Sequence, residues 1–237
     1  MSNKLPGFKR AALALAATLT TALLTTAPAA AQDQQMVDKL MAIKTAQDTN
    51  KQKLAQYTWQ ETETIAIKGS TKDTKVYQVQ MVNGQQQKTL LNNQSAGSSG
   101  GGRLKERAIQ HETQEYEEYG QQISALAKQY TTPNPEALMQ AKQAGNISIQ
   151  PGNGTVSLVI KNYIKQGDSV TMTISEQTHS PVAVNVSSYL NDPKNAVKIS
   201  AQFAQLPDGT NYAATTTIDG VSKHLTVNEQ NSNYQKM

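Results

Sequence analysis

The sequence holds 237 residues and no cysteine, with 37% hydrophobic, 17% charged and 5% aromatic residues and a mean hydropathy of -0.55. That composition excludes collagenous, disulfide-knotted and multi-span membrane chains, and the missing thiols exclude cysteine catalysis, Cys-ligated zinc and iron–sulfur clusters. The formal net charge of +4 resides at the N-terminus: without Lys4, Lys9 and Arg10 the chain has 19 basic against 18 acidic residues, and only Arg103 and Arg107 remain as arginines, so no nucleic-acid partner is expected.

A basic start, an apolar run from Ala11 to Leu24 and the small residues Ala29, Ala30 and Ala31 read as an export signal over residues 1–31, cleaved after Ala31. The run is shorter than the roughly 20 residues that span a bilayer, and no second run of that length follows, so a soluble periplasmic or secreted product without a transmembrane anchor is expected. No cysteine stands at the junction to carry an acyl anchor. Residues 32–237 then suit one domain.

In that domain Met36, Val37, Leu40, Met41, Ile43 and Leu54 recur at three- and four-residue steps, which predicts an amphipathic helix over Gln34–Gln56. Tyr57–Ile67 and Lys75–Val82 are rich in Thr, Val, Ile and aromatics, and Asn83-Gly84 joins the second run to Gln85–Leu91 as a tight hairpin. Residues 92–102 (NNQSAGSSGGG) offer little to bury and are expected as a flexible loop. A second helix is predicted from Arg103 to Tyr130, its apolar stripe including Leu104, Tyr116, Tyr119, Ile123, Leu126 and Tyr130. Asn134-Pro135 starts a third, which Gly145 stops. From Asn146 to Asn228, apolar residues at every second position, punctuated by turn residues, predict an antiparallel meander of five or six strands, each apolar on one face only.

A sheet of eight or nine strands with one apolar face must curl around its cover. The expected fold is α+β: a strongly curved antiparallel β-sheet, a half or open barrel, with two or three helices over the concave apolar face. A closed barrel and a two-sheet sandwich are the competing arrangements. The order of signal, helix, strands opening YTWQETETI, Asn-Gly hairpin, central helices and meander resembles the periplasmic lipoprotein-carrier (LolA/LolB-like) family, which implies a half barrel enclosing an apolar cavity for lipid chains. The phrases YIKQGDSVTMTI, KISAQFAQLPDGTNY and NEQNSNYQKM also resemble uncharacterised secreted bacterial proteins of similar layout.

Motifs with catalytic precedent are incomplete. His111-Glu112-Thr113-Gln114-Glu115 carries half of a zincin H-E-x-x-H, with Glu115 where the second imidazole should stand, and reads as a solvated helix face. Gly97-Ser98-Ser99-Gly100-Gly101 matches a nucleophile elbow only through the composition of its tract. Glu61 and Glu63 share one strand face beside Trp59 and Ile65, but neighbouring Thr and Gln on both faces suggest an exposed edge or a bulge. His179 and His224 read as turn or surface residues. No cofactor, metal site or catalytic residue is expected, and the protein reads as a non-enzyme. Trp59, Tyr77, Met81, Tyr116, Tyr119, Met172 and Phe203 fall on apolar faces, as core or as cavity lining. The expected function is an exported carrier for an apolar ligand or the acyl chains of a lipoprotein. The alternative is an envelope protein-interaction module without a cavity.

Overall fold

The computed structural model describes residues 45–95, 103–131 and 134–237. The predicted signal, the start of the first predicted helix and most of the Gly/Ser tract, with its elbow-like motif, lie outside the described residues. Helix α1 covers 45–54. Strands β1 (Tyr57–Ile67), β2 (Ser70–Val82) and β3 (Gln85–Ser95) follow, then helices α2 (Arg103–Thr131) and α3 (Pro135–Gln143). Strands β4 (Ile147–Pro151), β5 (Thr155–Lys161), β6 (Ser169–Ser175), β7 (Pro181–Tyr189), β8 (Ala196–Gln205), β9 (Asn211–Gly220) and β10 (Leu225–Lys236) complete the chain.

The ten strands form one sheet in the order β3-β2-β1-β10-β9-β8-β7-β6-β5-β4, every neighbouring pair antiparallel. β3 and β4 are the two free edges, so this is an open α+β half barrel and neither a closed barrel nor a sandwich. Helices α2 and α3 fill its covered face. Ile123, Leu126, Ala127 and Tyr130 of α2 and Leu138 and Ala141 of α3 join Leu158, Val170, Val186, Ile199, Ile218 and Val227 from the sheet in one buried cluster. The period of two on the strands and of 3.6 on the helix places these side chains against each other.

Local signals explain the element ends. Asn134 caps α3, its side chain accepting the Ala137 amide at 3.0 Å, and Gly145 ends it at φ +68°. Asn83 and Gly84 both take positive φ, as a two-residue turn between twisted strands requires.

Three expectations need correction. Asn92–Ser95 belong to β3, not to a loop, because the bulge at the Val76/Tyr77 step lets them pair with Asp73–Val76. The C-terminal meander has seven strands instead of five or six: β4 has only Ile147 and Ile149 to alternate before Pro151, too short a pattern to register. Strand β1 is not an edge, since β2 and β10 flank it, although bulges do interrupt it near Trp59 and Ile65.

Candidate functional site

The covered face is apolar under α2 and α3 and changes character at β10. Along one rank of paired residues, Leu158, Met172, Val184 and Ala201 give way to Glu229, Glu63 and Lys75. Glu61 on β1 is 2% exposed, Asp73 on β2 1% and Glu229 on β10 4%, all on the side facing the interior. Lys88 on β3 contacts Glu61 and lies 3.9 Å from Glu229, while Lys75 lies 2.9 Å from Asp73 and 3.5 Å from Glu63. Removing these groups from water is unfavourable, and pairing on the sheet compensates for part of that. Burial pushes the Glu229 carboxyl up to about 8 against the pull of Lys88, and burial raises Glu61 as well.

Beside this charged group stands an aromatic one. Trp59 stacks on Tyr234 at 5.4 Å, and Tyr234 also meets Tyr212 at 4.4 Å and Tyr57 at 6.4 Å. The Trp59 indole donates to Asn231 Oδ1 at 3.0 Å, and the Asn231 amide donates to the Ala213 carbonyl at 2.9 Å, which ties β1 through β10 to β9. Leu54 of α1 packs on this cluster, and Asn50 of the same helix exchanges hydrogen bonds with the Asn211 backbone at 2.8 and 2.5 Å. At the rim, hydrogen bonding from Thr210, whose amide donates at 2.9 Å, and from the Tyr57 hydroxyl at 2.8 Å holds Asp208 down at about 2.

The sequence-predicted lining residues therefore divide between two places. Trp59, Tyr77 and Met81 sit with Val79 in the aromatic group at the β1–β2 end, whereas Tyr116, Tyr119, Met172 and Phe203 belong to the cluster under α2. Trp59 and Met172, each 1% exposed, are in contact with protein on all sides, while Met81, Tyr116 and Phe203 keep free surface. Tyr119 crosses Gly220 of β9: a methyl group there would lie 2.7 Å from the Tyr119 hydroxyl oxygen and nearer still to its ring. That hydroxyl is 3.0 Å from Ser222 Oγ. Of the strands, β9 is the one on which α2 packs most extensively.

At the far end Asp168 organises the β5–β6 loop. It accepts the amides of Tyr163, Ile164 and Lys165 at 2.6–3.0 Å and the Tyr130 hydroxyl at 2.5 Å, while the Tyr163 hydroxyl accepts the Asn134 amide at 3.0 Å. One carboxylate thus joins α2, α3 and the sheet.

Sequence reasoning singled out Glu61 and Glu63 but missed Lys75, Lys88 and Glu229. Their charges interrupt the apolar alternation, and only strand pairing reveals a common face. Glu115 pairs with Lys223 at the surface, in keeping with a solvated helix face. His179 and His224 occupy positive-φ turn positions. Among the described residues no cluster of three or more His, Cys, Asp and Glu is arranged to hold a metal ion, and no helix is long and apolar enough to cross a membrane.

Fold and covered face together define an open antiparallel half barrel with helices across its interior. No family model matches the sequence, and no curated protein matches it. Among solved structures, a LolA superfamily protein from Nitrosomonas europaea is similar over 80% of this chain and 93% of its own, at 8% identity and a TM-score of 0.36.

Proposed function

We propose that the protein is an exported carrier that holds the apolar part of a small amphiphile between α2 and the covered face of the sheet. The observation that supports this is the seating of the cover: α2 packs most extensively on the sheet at β9, where Gly220 admits Tyr119, half-buried Tyr116 keeps apolar surface one helical turn from that seat, and half-buried Phe203 keeps more of it at the opposite end of the β8–β9 pair. A ligand enters by displacing α2 from the flanking strands, and each methylene taken from water contributes about 0.8 kcal/mol with no covalent step. A fluorescent apolar probe tests the reading. It should bind saturably to the protein, and Phe203→Asp should weaken it at least tenfold while the fold is retained. Binding unchanged in Phe203→Asp would place the probe elsewhere and remove the reading.

A second reading, an envelope protein-interaction module, is favoured by strand β3. It is a free edge of the sheet and presents Leu90 and Leu91 to solvent.

A further inference from the structure

The outer face of the sheet has the reverse polarity of the covered one. At the β3–β2–β1–β10 end the buried charged side chains point inward, and the alternate residues, which point outward, are uncharged except for Lys72 near the start of β2. The strand pairings extend this pattern across the sheet. One unbroken rank runs from Gln94 on β3 through Thr64, Asn228, Thr217 and Asn185 to Ser148 on β4. A second, two residues along each strand, runs from Asn92 through Thr62, Thr215 and Thr173 to Gln150. Both cross all ten strands, neither contains a charged or aromatic residue, and none of their positions is buried. On a surface where roughly a quarter to a third of positions ordinarily carry charge, that is a marked exclusion. Charge returns in the adjacent rank, at Lys161, Lys198 and Asp219, and at Lys72 in the bulge of β2.

We propose that this face docks an uncharged polysaccharide strand. Nucleic acid and anionic membrane both need a basic surface, which these ranks lack. Protein interfaces centre on Tyr, Trp, Phe, Met and Arg, and these are absent too. A face stacked on a second sheet would be apolar. Apart from Val159 in the first rank and Val76 and Ala183 in the second, what the ranks offer is hydroxyl and amide groups that both donate and accept, repeated about every 4.8 Å across the strands and about every 6.8 Å along them. A neutral, hydroxyl-rich polymer laid along a rank meets a fresh partner at nine strands of the first and eight of the second without desolvating any charge. Each contact is weak, and repetition along one chain supplies the avidity. The Ser157 and Thr173 hydroxyls, 3.1 Å apart, show that neighbours in a rank stand within hydrogen-bonding reach of a common partner.

Co-sedimentation of the full protein with insoluble chitin, cellulose and β-1,3-glucan tests the proposal. The expected result is retention on at least one neutral glycan, unchanged between about 0.05 and 0.5 M salt because no ion pair is involved. Thr64→Lys/Thr217→Lys should lower the bound fraction at least tenfold. The single substitution Gln202→Lys, at an exposed position of the second rank, should give a smaller loss in the same direction and covers the case in which the double variant fails to fold. Retention on none of the three polymers would overturn the proposal, as would binding that collapses with salt or is indifferent to these variants. Concentration-dependent dimerisation abolished by the same variants would make a second copy the occupant and overturn it equally. The apolar-probe titration is independent of this face, so the carrier reading stands or falls separately.

Discussion

Glu229 is the residue whose ionisation sets itself most directly against the fold. Its carboxyl is raised from an ordinary value of 4.5 to about 8, chiefly by burial, so the folded chain keeps a proton that the unfolded chain releases. Folded molecules therefore bind more protons between about pH 4.5 and pH 8, and stability must fall as pH rises through that window. Glu61, also raised, acts in the same direction. Glu229→Gln keeps the shape of the protonated side chain. The variant should match the parent near pH 4, exceed it by a growing margin as pH rises toward 8, and show a flatter stability profile between; denaturant melts across pH measure this, and an unaltered slope would contradict it. Gly220 is the other decisive residue. Gly220→Ala forces Tyr119 off its seat and should cost about 1–3 kcal/mol, as overpacking does. The penalty should shrink in a Tyr119→Leu background, and equal penalties in both backgrounds would show that the contact is not the cause.

At the scale of elements, β3 is held to the sheet by its ladder with β2 and by one buried amine, Lys88. Lys88→Ala leaves Glu61 beside Glu63 and Glu229 without that amine, and removing one member of a buried ion pair typically costs about 3–5 kcal/mol. Hydrogen exchange should accelerate in 85–95 more than in β5–β8; uniform acceleration would mean that Lys88 stabilises the whole molecule instead of its edge. The elements also show what was legible in the sequence. Strands β5 to β9 announced themselves because Val, Ile and Met alternate with Thr, Ser and Asn over a purely apolar interior. The end of β10 did not, since Glu229 and Asn231 face inward where an apolar residue is expected. Glu61 and Glu63 were visible as a pair, yet Lys88 lies 27 residues from Glu61 on β3, Glu229 more than 160 away on β10 and Lys75 across a hairpin on β2, and no local spacing encodes those distances. Asp168 lies among the turn residues that punctuate the meander, and its bonds to three amides stay within that loop, whereas its bond to Tyr130 exists only once α2 crosses the sheet.

For the whole molecule, the architecture separates two surfaces of different chemistry. The covered face couples an apolar cluster under α2 to a charged and aromatic end under α1, while the outer face excludes charge from its central ranks. An amphiphile matches the first surface, since its tail and its polar group would each find suitable neighbours along one trough. The central claim is that the covered face takes up such a molecule. Native mass spectrometry of the protein purified from cells that express it, followed by denaturing extraction, tests this most directly. The account predicts a retained apolar or amphiphilic species near one per chain, released on unfolding and diminished in Phe203→Asp. A protein that is empty as isolated and takes up no acyl-chain amphiphile when offered one would contradict it.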